Sequence, residues 1–251
     1  MKRLHMPPID IRYWTAITLS SIFGTNLGDL YAHKSGLGLI QGVGVLSLLA
    51  ALVFATERFE NRRHQVYYWL IIIIIRTGAT NIADYLAYIA KVPPVLLGLG
   101  VTVILCFFAW ISSFTNRGTV SSLNTLPNTN IAYWIAMLAA GVFGTLGGDL
   151  CSDNLGEGSS SLGLGAILLI VLFFGRESTA KMPVVYWVTV AIARMAGTSM
   201  GDWLAENHTL HFGLSISTLI TGVAFLSVLL FWKSERWRAE DTGSRIASPS
   251  Q

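Results

Sequence analysis

A chain of 251 residues that is 53% hydrophobic and 12% charged carries about half the charge usual for a soluble domain, ~25%. The charges stand in short clusters between long apolar runs. A net charge of +3 without a basic stripe excludes a nucleic-acid binder. The only two cysteines, Cys106 and Cys151, lie in or beside apolar segments, which excludes a disulfide framework or a thiolate metal centre.

Taken in chain order, eight apolar segments stand out: 13–31, 36–56, 67–88, 92–114, 131–150, 160–175, 184–204 and 210–232. Seven reach the ~17–25 residues a membrane span needs, and the sixth is short and glycine-bearing. The first has no small-x-small cleavage site and reads as a retained helix. Residues 118–130, rich in Ser, Thr, Asn and Pro, read as a cytoplasmic linker between a first half (1–117) and a second (131–238). Residues 239–251 are polar and read as a disordered tail.

Lys and Arg placement sets the orientation. With both termini inside, the inner segments hold Lys2, Arg3, Arg12, Arg58, Arg62, Arg63, Arg117, Arg176, Lys181, Lys233, Arg236, Arg238 and Arg245, and the outer loops only Lys34 and Lys91. Arg76 and Arg194 fall inside helices. The expected location is an inner (plasma) membrane with cytoplasmic termini.

The chain repeats itself. Tyr13-Trp14, Tyr68-Trp69, Tyr133-Trp134 and Tyr186-Trp187 open the odd-numbered segments, and fifteen residues after each Trp stands Asp29, Asp84, Asp149 or Asp202. Four residues before each Asp stands Thr25, Thr80, Thr145 or Thr198. Small-xxx-small pairs flank them: Gly24/Gly28, Ala79/Ala83, Gly144/Gly148 and Gly197/Gly201. Each unit holds two spans and returns the chain to its starting side, so the copies are parallel. The expected fold class is an all-α integral membrane protein of eight transmembrane helices. They form four parallel two-helix repeats, with a pseudo-four-fold symmetry degraded to a two-fold because Arg76 and Arg194 face Ser21 and Gly141 in the other units.

The Tyr-Trp pairs read as aromatic anchors at the membrane interface, and the small-xxx-small pairs as places where helices approach closely. An intramembrane carboxylate is costly and marks a cavity or a partner. Four equivalent Asp should converge on the axis, with the Thr one turn below, as stacked oxygen tiers. One turn above, His33, Tyr88, Asp153 and Glu206 read as a solvated outer mouth. Oxygen ligands suit a hard cation such as Mg²⁺, Ca²⁺ or Mn²⁺. Arg76 and Arg194 lie ~12 Å below the Asp. Helical side chains lean toward the N-terminus, so they read as charge balance or a gate.

The pattern resembles a bacterial family of uncharacterised membrane-anchored proteins. Its repeat begins Lys-Val-Pro-Glu, passes a Phe/Tyr-Trp pair and reaches Gly-Glu and then Asp. Lys181-Met182-Pro183, Tyr186-Trp187, Gly197-Thr198 and Asp202 follow it here. The resemblance implies a membrane location and no activity. In all four units Thr replaces the family's Glu, so that if family members bind metal, this chain should bind it more weakly or bind something else.

The leading functional expectation is a transporter or channel for a small, preferentially divalent cation, carried as substrate with no resident cofactor. One alternative is a proton-coupled carrier of a small organic or anionic solute, with the arginines as anion contacts. The other is a non-transporting membrane scaffold or sensor. No Ser/His pairing or His-Glu-x-x-His motif suggests an enzyme. The partners implied are lipid and a small cation, with homo-oligomerisation open.

Overall fold

The computed structural model describes residues 6–59, 65–114, 129–175, 178, 182–207 and 212–246. Among them are eight α-helices and no strand: α1 Ile11–Lys34, α2 Leu39–Phe59, α3 Gln65–Asp84, α4 Pro94–Phe114, α5 Ile131–Leu155, α6 Glu157–Gly175, α7 Pro183–Glu206 and α8 Gly213–Ile246. Each helix falls on one of the eight apolar segments. α3 continues into a π-helical turn, Tyr85–Ile89.

The starts of α1, α5 and α7 are encoded locally. The Asp10 carboxylate accepts from the Tyr13 backbone N–H at 2.9 Å, and the Asn130 side chain from that of Tyr133 at 2.8 Å. Such caps satisfy a helix's orphan donors. Pro183 opens α7, where its missing N–H costs nothing.

The odd helices form the inner layer. α1 packs on α3, α3 on α5, α5 on α7 and α7 back on α1, closing a ring around one axis. Each even helix packs chiefly on the odd helix that follows it: α2 on α3, α4 on α5, α6 on α7 and α8 on α1. The even helices leave long apolar side chains uncovered, among them Leu52, Leu99, Leu169 and Leu219. Six helical segments are long and apolar enough to cross a membrane, and the short α6 is one of them. α1 and α7 are not among the six. Both lie inside the bundle and carry polar residues such as Ser20, Thr25, Thr189 and Arg194, which protein rather than hydrocarbon must accommodate.

Small residues permit the inner contacts, as expected. A Cβ on Gly28 would stand 2.9 Å from Thr80 Cβ, and one on Gly148 2.6 Å from Thr198 Cβ. A Cβ on Gly24 would meet the Arg76 stem, and one on Gly144 would meet Arg194. Each arginine therefore enters the axis over a glycine of the preceding odd helix.

α8 runs on to Ile246, into the segment expected as a polar tail. Lys, Glu, Arg and Ala favour helix, and no proline interrupts before Pro249. Most of the expected linker, 118–128, and most of the inner basic residues lie outside the described residues or side chains. Asn130, at the linker's end, caps α5.

Candidate functional site

The repeat spacing sets four levels along the inner helices. Residues four apart are one turn apart, so the Tyr, the arginine level, the Thr and the Asp follow one another over ~24 Å.

At the tyrosine end the four hydroxyls form a closed ring. Tyr13 bonds Tyr68 at 2.8 Å, Tyr68 bonds Tyr133 at 2.7 Å, Tyr133 bonds Tyr186 at 2.9 Å, and Tyr186 bonds Tyr13 at 2.7 Å. All four tyrosines are 0% exposed. This corrects the anchor reading of the Tyr-Trp pairs. The tryptophans do not stand out in the interface either. Trp14 packs on Tyr186, Trp69 on Tyr13, Trp134 on Tyr68 and Trp187 on Tyr133, with ring centroids 5.5–5.9 Å apart. Adjacent residues point about 100° apart on a helix. The Tyr therefore takes the axis and the Trp fills the seam with the preceding helix. Four tyrosines at identical spacing carried the same convergence signal as the four Asp.

The two arginines, both fully buried, part company. Arg76 reaches one turn toward the Asp. Its Nη1 donates to the Gly141 carbonyl at 3.1 Å and to Thr145 Oγ1 at 2.8 Å, and its Nη2 donates to Thr25 and Thr198. One guanidinium thus joins a threonine from each of the other three inner helices. Thr25 and Thr198 donate their own hydroxyl protons to the Ser21 and Arg194 carbonyls, at 2.9 and 3.1 Å. Their lone pairs are thereby turned toward the axis. Thr80 stays on its own helix, donating to the Arg76 carbonyl at 3.4 Å. The expected N-terminal lean holds for Arg194 and fails for Arg76. Arg194 reaches the level of Met137, one turn toward the tyrosines, where Nη2 meets the thioether sulfur at 3.5 Å.

Above the threonines, Asp29, Asp84, Asp149 and Asp202 are half-buried. Each lies within electrostatic reach of Arg76 and of at least one other Asp of the four. His33, Tyr88, Asp153 and Glu206 are all exposed around them. His33 Nδ1 bonds the Asp29 carbonyl at 2.7 Å. Among the described residues no group of three His, Cys, Asp or Glu is arranged to hold a metal ion. The hydroxyls expected as cation ligands hold the chain's own guanidinium.

Sequence reasoning also missed a set of polar ties between helices. Asn26 Nδ2 donates to Ser217 Oγ on α8 at 2.6 Å, and Ser161 Oγ on α6 donates to the Ser199 carbonyl at 2.6 Å. Asn81 Nδ2 donates to the Gly28 carbonyl at 3.2 Å. Asn26, Asn81 and Ser199 each follow the repeat's Thr directly, so their place was visible in the pattern.

The fold and axis define an all-helical protein with an internal repeat and six helices fit to cross a membrane. The chain belongs to the repeat family described as Repeat of Unknown Function (DUF347), which matches residues 12–62, 132–176 and 185–236. These stretches cover the pairs α1–α2, α5–α6 and α7–α8. No curated protein and no solved structure matches the chain.

Proposed function

We propose that the chain is an integral membrane protein of eight spans that passes a small cation along the inner-helix axis. In this reading α3–α4 is a fourth copy of the two-helix unit, although the family matches only the other three pairs. The closed cycle of tyrosines and tryptophans supports a pseudo-four-fold arrangement of parallel copies. The bare apolar faces of the even helices support burial in lipid, since only fully bonded backbone tolerates hydrocarbon. The Lys and Arg distribution supports an outward-facing Asp end.

One observation carries the functional reading. A tier of threonine oxygens, beneath four carboxylates, already holds a cation, and that cation is Arg76. Acceptors turned inward by their own backbone bonds favour positive charge without reorganising. Arg76 acts as a tethered plug, and a cation gathered at the Asp mouth competes with it for the same oxygens. Carboxylates spread around a mouth suit passage better than tight chelation. The proposal is therefore for a passing cation, with Mg²⁺ and Mn²⁺ among those to be tested beside K⁺ and Na⁺.

The test is flux into proteoliposomes. Arg76→Gln removes the plug's charge, and cation uptake should rise at least ~10-fold over the unaltered protein. Single Asp→Asn changes in that background should each lower uptake. Doubles should be non-additive, since the carboxylates share one field. Folded Arg76→Gln protein with no added flux for any of the four cations would defeat the reading. It would favour the second one, a sealed, non-transporting scaffold, to which the closed tyrosine ring points.

A further inference from the structure

Arg194 is the least provided-for charge among the described residues. It is 0% exposed, and its Nε and Nη1 have no hydrogen-bond partner among the described residues. The thioether of Met137 on Nη2 is a weak acceptor. Arg76 differs: four acceptors hold its terminal nitrogens, and three of the Asp lie among its strongest electrostatic neighbours. The electrostatic neighbours of Arg194 are Arg76 and the four ring tyrosines, and no carboxylate is among them. A buried charge left without a counter-charge is costly.

The arrangement of the two arginines indicates where the counter-charge belongs. Their guanidinium groups turn away from each other, Arg76 to the Thr145 level and Arg194 to the Met137 level, about two turns or ~12 Å apart. The level between is the one from which both side chains start. The other two inner helices contribute Ser21 and Gly141 there, both small. Nε is the guanidinium nitrogen nearest the stem, and Arg76 Nε is also buried and unpartnered. Two Nε–H donors, one from each arginine, therefore flank this level. The closed tyrosine ring uses all four of its protons on itself, so it supplies no donor. The ligand must be small, because hydrogen-bonded tiers close the axis on both sides. It should carry one negative charge, because one arginine is already matched by the outer carboxylates.

We propose that the axial level between Arg76 and Arg194, beside Ser21 and Gly141, binds one small monovalent anion of the halide class, with Arg194 as its principal contact. This site does not rest on the cation reading, and either can stand without the other.

The test uses the full-length protein in detergent, with chloride or bromide exchanged for gluconate at constant ionic strength. Replacing gluconate with 100 mM chloride should raise the unfolding midpoint by at least ~3 °C, because a ligand bound only to the native state stabilises it. Arg194→Met should abolish the dependence. Crystals grown in bromide should show an anomalous peak within ~3.5 Å of Arg194 Nε, near hydrogen-bonding range. Identical midpoints in gluconate, chloride and bromide for the unaltered protein would overturn the site. So would an undiminished dependence in folded Arg194→Met. Should that variant not fold, the bromide map decides: a peak elsewhere, or none, with Arg194 bonded to tyrosine oxygens, refutes the proposal.

Discussion

Arg76 and Arg194 stand eight residues after their Tyr and eight before their Asp, and both are wholly buried, yet the two halves of the axis around them have little in common. The half toward the Asp is a hydroxyl tier beneath four half-buried carboxylates, and Arg76 fills it with hydrogen bonds. The half toward the tyrosines is sealed by a ring that spends its protons internally, and Arg194 meets a sulfur atom there. The difference teaches that equivalent residues cannot all keep equivalent partners at a symmetry axis. Two guanidinium groups on one tier, ~4 Å apart, would repel by about 4 kcal/mol at an effective dielectric of 20. Three threonines are enough for one guanidinium. The second turns the other way, and the approximate two-fold of the sequence breaks at the point where its copies meet.

The strongest way to break the comparison is to remove the space that admits an arginine. Gly144→Val should cost more than ~3 kcal/mol, because its Cβ would stand 2.7 Å from the Arg194 backbone carbon, and helix backbones yield little. Gly98→Val, with nothing within 4 Å, is the control and should retain folded yield in detergent. Equal yields would mean that the inner helices are not held at this separation.

Next come the arginines themselves. Arg76→Met loses four charge-assisted contacts and should lower stability by about 2–4 kcal/mol, less than their gross sum because a buried charge goes with them. Arg194→Met removes a charge that has almost no partners. In gluconate it should be neutral or stabilising, as apolar replacements of buried charges often are. Chemical unfolding of the two variants side by side checks this, and equal losses would erase the distinction between the two halves.

The smallest effect sharpens the description of the sealed end. Tyr68→Phe breaks the bonds to Tyr13 and Tyr133 and should cost about 1–3 kcal/mol. A second Tyr→Phe should cost clearly less than the first, since the ring is already open. Additive losses would show four independent hydroxyls instead of a closed ring.

Helix positions were legible along the chain because apolar runs and the fifteen-residue spacing from Trp to Asp are local. That copies of one pattern face alike was an expectation of the sequence, and three of the threonines, Thr25, Thr145 and Thr198, do meet at Arg76. The same logic applied to the tyrosines and was masked by their tryptophan neighbours. An aromatic pair at a helix start has a ready interfacial explanation, and spacing does not say which of two adjacent rings faces inward. α1 and α7 fall outside the six apolar spans for the converse reason. A helix wrapped by other helices is freed from the composition that lipid demands.

The amino-acid sequence by itself determined the eight helices, the repeat and the order of levels from tyrosine to aspartate. All of these follow from periodicity and spacing along the chain. Only the tertiary structure decided that the tyrosines close a ring, that Arg76 occupies the threonine tier and that Arg194 does not. Those outcomes depend on which partners the other three inner helices bring to the axis. A long side chain goes where acceptors, space and the nearest like charge allow, and none of the three is set by the residues beside it in the chain.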